Sequence, residues 1–106
     1  MILDYLQLEE VNLPTNVKLN QNYPNPFNPI TKISYEVPSD GFVKVSIIDM
    51  MGREVKTLVK SSQVSGMRSV TWNATDNNDQ PVSAGVYLYK IQTRGITKTR
   101  KMVFLK

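Results

Sequence analysis

From Val17 onward, apolar and polar residues alternate with a period of two in most segments, the signature of half-buried strands. In Lys32–Val37, Ile33, Tyr35 and Val37 share one face, while Lys32, Ser34 and Glu36 share the other. Val43, Val45 and Ile47 form a second apolar row opposite Lys44 and Ser46. The shorter run Arg53–Val59 turns Val55 and Leu58 inward only if a bulge shifts its register. Val70 aligns with Trp72, which is expected at the centre of the core, facing the 31–49 strands. The last two segments, GVYLYKIQT and ITKTRKMVFLK, are long enough to form the heart of a sheet. The predicted strands are 17–20, 31–37, 42–49, 53–59, 67–74, 85–93 and 96–105. Turn-forming stretches separate them at Pro38–Gly41, Met50–Gly52, Val64–Gly66, Asp76–Pro81 and Arg94–Gly95. Short strands between regular turns, with little helical periodicity, predict an all-β antiparallel sandwich of about seven strands.

One stretch breaks the alternation. Asn22–Pro29 reads NYPNPFNP, and Pro24, Pro26 and Pro29 each fix φ and lack an N–H, which excludes both helix and interior strand. Asn25 and Asn28 each precede a proline and are held extended. Asn side chains bond nearby backbone groups in place of a ladder. The strip is therefore expected on the sandwich rim, where missing donors cost nothing, with Tyr23 and Phe27 closing one end of the core. Residues 1–16 contain Leu13-Pro14 after a mildly amphipathic start, and are expected to be a linker or leader ahead of a 17–106 domain.

Composition narrows the chemistry. A chain of 106 residues makes one domain that buries roughly 65% of its unfolded surface, and a 41% apolar share argues against disorder. The absence of cysteine and histidine removes disulfides, thiolate chemistry and the commonest metal ligands and proton carriers. The apolar runs are too short to span a bilayer, and MILDYLQLEE carries acids where a signal peptide carries lysines. The net charge of +4 is uneven. Lys90, Arg94, Lys98, Arg100, Lys101 and Lys106 make the C-terminal segment strongly basic with no acid, while Asp4, Glu9 and Glu10 make the start acidic. A basic tail fits an anionic surface or a receptor, or is simply a solvated terminal strand.

Several local patterns lose to plainer readings. Asp76, Asn78 and Gln80 space their oxygens like a calcium loop, but Pro81 and Tyr87 stand where such a loop needs glycine and glutamate, so a hairpin turn is expected. Pro26–Pro29 satisfies the P-x-x-P pattern in a segment already rich in Asn-Pro, and carries no information. Asn73-Ala74-Thr75 is a glycosylation sequon only in a eukaryotic secretory route. The serines sit in turns without a glycine elbow, and no nucleophile–base arrangement is evident, so no enzyme, metal or cofactor is expected. Tyr87, Tyr89 and Ile91 share one side of their strand and Val86 and Leu88 the other. Exposed tyrosines stack on sugars, but the core is the expected place for this pair.

Four stretches carry a family resemblance: NYPNPFNPITKISYEVP, VKVSIIDMMGREVKTLV, VTWNATDNNDQPVSAGVYLYKIQT and TKTRKMVFLK. In that order they resemble the C-terminal sorting domain of the type IX secretion system, a relative of the immunoglobulin-like domain of the flagellar hook-capping protein. The resemblance spans about 17–106 and implies an immunoglobulin-like sandwich of seven strands at the end of a large exported protein. It implies recognition by an outer-membrane translocon, then cleavage by a cell-surface sortase-like peptidase, with the cargo anchored to anionic lipopolysaccharide or released. Tyr23, Pro24, Asn25, Pro26 and Phe27 match the family's opening motif, and Asp49, Gly52 and Arg53 its D-x-x-G-R turn. Gly85, Val86 and Tyr87 match its G-V-Y strand start; Lys101, Met102 and Lys106 match its basic and apolar C-terminal signal. The family glycine after the tryptophan is replaced here by Asp79-Gln80, which affects only the loop.

On this reading the final strand is the part a partner engages. Regular alternation allows Val103 and Leu105 to enter the core, leaving Lys98, Arg100, Met102 and Phe104 as an outward basic-to-apolar stripe continuous with Lys101 and Lys106. The plain alternative is that the 17–29 lead-in covers Met102 and Phe104. The expected partners are the translocon, the peptidase and the upstream cargo, with no nucleic acid and a monomeric chain. Two rival functions stand beside sorting: an accessory carbohydrate- or protein-binding module, marked by an exposed aromatic platform on 85–93, and a structural domain of a flagellar hook cap.

Overall fold

The computed structural model describes residues 17–106; the expected linker 1–16 falls outside the described residues. Among the described residues seven strands form, and no helix: β1 (Lys18–Leu19), β2 (Thr31–Val37), β3 (Gly41–Ile48), β4 (Glu54–Gln63), β5 (Gly66–Trp72), β6 (Gly85–Thr93) and β7 (Ile96–Phe104). They make two antiparallel sheets with strand orders β1-β2-β5 and β4-β3-β6-β7. Three strands facing four in this order is an immunoglobulin-like sandwich. β2 and β6 occupy the predicted residues. β4 runs on to Gln63 because its second half pairs with Gly41–Val43, and β5 ends at Trp72 just before Ala74 takes a positive φ of 61°.

The inward rows are those of the period-two pattern. Ile33, Tyr35 and Val37 from β2 face Val43, Val45 and Ile47 from β3, with Tyr87, Tyr89 and Ile91 from β6, and all nine are buried. The register of β4 against β3 shifts between Val45 and Ser46 and again between Ile47 and Ile48, which lets Val55, Leu58 and Val59 all pack against the core. Trp72 is buried at one end of the sandwich rather than its centre, with its ring against Phe27 and Tyr87.

The β6–β7 turn fixes how the C-terminal strand faces. Arg94 and Gly95 have φ of 49° and 78°, the pair of positive values a two-residue type I′ hairpin requires. Ile96 therefore lies opposite Thr93, and the register runs unbroken to Phe104 opposite Gly85. Cross-strand partners share a face. Since Thr93, Ile91, Tyr89 and Tyr87 point inward, so do Ile96, Lys98, Arg100, Met102 and Phe104. This corrects the expected orientation: Met102 is 0% exposed and Phe104 is buried, whereas Val103 is half-buried and Leu105 is 51% exposed. Tyr23 also departs from expectation. It exchanges two backbone hydrogen bonds with Lys32 on the outer face and stands 80% exposed, so Phe27, at 2%, closes the core without it.

Candidate functional site: the C-terminal strand and the strip along its edge

β7 is an edge strand of the four-stranded sheet. Antiparallel pairing alternates, so Ile96, Lys98, Arg100, Met102 and Phe104 bond to β6 while the intervening residues turn their backbone groups to the open edge. The strip preceding β2 covers the last part of that edge. Phe27 N–H donates to Val103 O at 3.0 Å, and Leu105 N–H donates to Phe27 O at 2.9 Å. Val103 N–H donates to Asn25 Oδ1 at 3.0 Å, and Gln21 Nε2 donates to Lys101 O at 3.0 Å. A segment whose prolines cannot serve as an ordinary strand thus replaces the missing ladder with two backbone groups and two side-chain amides. Thr97 and Thr99 have no such cover among the described residues.

The strip is held rigid from below. Asn22 Nδ2 donates to Thr31 Oγ1 at 2.9 Å and to Pro24 O at 3.2 Å, and Thr31 Oγ1 donates to Pro24 O at 2.9 Å. The buried Tyr89 hydroxyl accepts from Asn22 N–H at 2.8 Å and donates to Asn20 O at 2.6 Å. Burial pushes the Tyr89 hydroxyl above its ordinary pKa, so it stays protonated and able to donate. Phe27 stacks on Phe104 with centroids 5.2 Å apart and meets Trp72 at 5.7 Å; Trp72 meets Tyr87 edge-on at 5.3 Å. Asn22, Thr31 and Gln21 were not singled out as site residues in the sequence. Thr31 shares the inward parity of Ile33 and Tyr35, and that was the available signal.

The remaining motif residues hold turns at one end of the sandwich. Asp49 Oδ1 accepts from Met51 N–H and Arg53 N–H, each at 2.9 Å, while Oδ2 takes Arg53 Nε at 2.9 Å. The Arg53 N–H foremost, with the Met51 N–H and the Arg53 guanidinium, holds the Asp49 carboxyl below the usual range. Gly52 takes φ of 87° at the tip of this turn, where an L side chain is strained. Tyr87, two residues into β6 after Gly85 and Val86, donates its hydroxyl to Ser83 O at 2.6 Å, the tyrosine corner of immunoglobulin-like sandwiches. In the 76–81 turn, Asp76 Oδ1 accepts from Asn78 N–H at 2.9 Å and Gln80 N–H at 3.0 Å, as in a hairpin turn.

The basic residues do not form one stripe. Lys98 and Arg100 face the open corner between the sheets and line a groove with Val17 to Asn20, where Arg100 Nε donates to Leu19 O at 2.6 Å. Lys101 stands on the opposite, outer face with Val103, and Lys106 is exposed beyond the strand. The strand therefore offers a partner its outer face and a short open edge. Asp49, Glu54 and Asp76 line one shallow depression, but each carboxylate is engaged: Glu54 accepts from the Thr57 hydroxyl at 2.6 Å and pairs with Lys44 at 3.0 Å. Among the described residues no group of three or more His, Cys, Asp or Glu is arranged to hold a metal.

The model of the secretion system C-terminal sorting domain matches residues 21–105. No curated protein matches the chain in sequence. Among solved structures, latent dimeric PorU of Porphyromonas gingivalis superposes with a TM-score of 0.70 at 21% identity, covering 87% of this chain and 9% of PorU. PorZ, an essential surface component of the type-IX secretion system of the same organism, gives 0.54 at 23% identity, covering 81% of this chain and 11% of PorZ. FlgD of Xanthomonas campestris, a hook-capping protein, gives 0.58 at 24% identity, covering 91% of this chain and 72% of FlgD. The chain thus spans about a tenth of the first two proteins, and identities this low carry the fold alone.

Proposed function

The chain belongs to the family of secretion system C-terminal sorting domains, and we propose that it is the non-catalytic handle by which a type IX outer-membrane translocon exports a larger protein. One observation carries this reading. The family match begins at Gln21 and ends at Leu105, and each boundary residue is bonded to the segment at the other end, Gln21 to Lys101 and Leu105 to Phe27. The matched unit is a closed sandwich with its C-terminal strand pinned at the far end and presented on its outer face. A handle needs this combination: a fold stable enough to survive the periplasm, and a terminal strand that a receptor can reach. A cell-surface sortase-like peptidase then separates the handle from cargo that is anchored to anionic lipopolysaccharide or released.

The accessory-module alternative needs an aromatic platform on β6, but Tyr87 and Tyr89 are buried and the outer residues are Val86, Leu88, Lys90 and Gln92. The test is a fluorescent reporter carrying a signal peptide and residues 1–106 at its C-terminus, expressed in a type IX-competent host. The tagged reporter is expected in the medium or on the cell surface, and the same reporter without residues 1–106 in the periplasm. Periplasmic retention of both rejects the sorting role.

A further inference from the structure

One end of the outer face of the four-stranded sheet departs from the polar surface that a sandwich ordinarily turns to water. Register places Ile48 of β3 beside Leu88 of β6, and Val86 of β6 beside Val103 of β7. Leu105 follows Val103 with the same parity. Val86 is 37% exposed and Leu105 51%, while Ile48, Leu88 and Val103 are partly exposed, so the five make an apolar patch at the C-terminal end of β7. The outer face of the other sheet has Lys32, Ser34 and Glu36 on β2, with Met67 and the Tyr23 ring exposed beside them.

Lysines flank this patch on its side toward the β6–β7 turn. Lys44, Lys60, Lys90 and Lys101 all lie on the outer face by register, against a single acid, Glu54, which is bonded to Lys44. Lys60, Lys90 and Lys101 have no carboxylate partner among the described residues. At the centre of the face, Ser46 is 1% exposed and its Oγ has no hydrogen-bond partner; its neighbours there are Lys44, Ile48, Thr57 and Lys90.

We infer that this outer face is the docking surface of the domain, and that its occupant is a protein surface with an apolar area and carboxylates beside it. A second copy of the chain does not fit, because a two-fold contact would set lysines against lysines. Insertion into a lipid surface fits less well, since Ile48, Leu88 and Val103 are half-buried in the sheet and only Val86 and Leu105 stand exposed. Unpaired lysines beside an apolar patch match carboxylates beside an apolar patch, with steering by charge and then burial of the patch. The inference rests on the sorting role, and it moves the contact from the expected Lys98, Arg100, Met102 and Phe104 stripe to the opposite side of β7.

The test uses the exported reporter with residues 1–106 in three altered forms. Lys90→Glu with Lys101→Glu reverses two rim charges; Val86→Ser with Leu105→Ser removes the most exposed apolar groups. Lys32→Glu with Met67→Ser makes the matching change on the other sheet. Each purified domain is checked for a cooperative thermal transition. Both outer-face variants are expected to lose export by about tenfold or more, the scale of losing charge and apolar contacts from an interface centre. The Lys32/Met67 variant is expected to export like the parent. Normal export of either folded outer-face variant overturns the docking surface while leaving the sorting role intact, and failure of the unaltered reporter removes the sorting role itself. An equal loss in the Lys32/Met67 variant also overturns the assignment. Should the serine variant fail to fold, the charge-reversal variant alone decides. Co-sedimentation of the parent domain with anionic phospholipid vesicles, lost on charge reversal, would assign the face to lipid and overturn the protein partner.

Discussion

Phe27→Ala tests whether the Asn-Pro strip is part of the core or only an appendage to it. The Phe27 ring is 2% exposed and contacts two other aromatic rings, Trp72 at 5.7 Å and Phe104 at 5.2 Å. Truncation removes the transfer energy of a buried phenyl ring and leaves a cavity between the sheets, which together cost about 3–5 kcal/mol in well-packed cores. That is a large share of the roughly 5–15 kcal/mol holding a domain of this size. At about 4–8 °C per kcal/mol, the midpoint should fall by at least ~12 °C. Tyr23→Ala is the internal control, because Tyr23 lies four residues earlier on the same strip and is 80% exposed; it should change stability by less than about 0.5 kcal/mol. Urea titration with fluorescence of Trp72 reads both variants. Equal, small effects would show that the strip does not close the core; equal, large effects would show that Tyr23 is buried after all.

Tyr89→Phe leaves the Asn22 N–H and the Asn20 carbonyl without their shared partner, so it should cost about 1–3 kcal/mol and speed hydrogen exchange at Asn22. Gly52→Ala meets no atom within 4 Å, so its expected cost of about 1–2 kcal/mol is backbone strain at φ of 87° alone, read as a lower melting temperature. The pH profile follows from groups at its two ends. Asp49 and Glu54 have folded pKa values below their ordinary ones, so their contribution is present above about pH 4 and is lost as pH falls through the folded values. Burial raises Tyr35, Tyr87 and Tyr89, so their contribution is complete below about pH 10 and is lost as pH rises through the folded values. With no histidine, the melting temperature should be flat between about pH 5 and 9; a transition near neutral pH would contradict this assignment.

Alternation made the interior of the sandwich readable. Val43, Val45 and Ile47, or Tyr87, Tyr89 and Ile91, show their inward face in any window of five residues, because period two is a local property. The same logic misplaced β7. ITKTRKMVFL alternates ambiguously, with Met102 and Phe104 on one parity and Val103 and Leu105 on the other. Parity there is set by the Arg94-Gly95 turn, which fixes Ile96 opposite Thr93, and Thr93 is inward only because Ile91 and Tyr89 are. The proline strip posed a related problem. Its sequence excluded a strand and predicted a rim position, but which of two aromatics turns inward depends on Tyr23 pairing with Lys32, a contact invisible to local pattern. The edge cover by Gln21 and Asn25 joins residues about eighty positions apart, beyond the reach of any short motif.

The sorting role requires export through one particular route. The most direct measurement is the location of the reporter ending in residues 1–106 in two otherwise identical hosts, one with an intact type IX translocon and one without it. The sorting role predicts reporter outside the cell or on its surface in the first host and folded reporter held in the periplasm of the second. The same distribution in both hosts would contradict it.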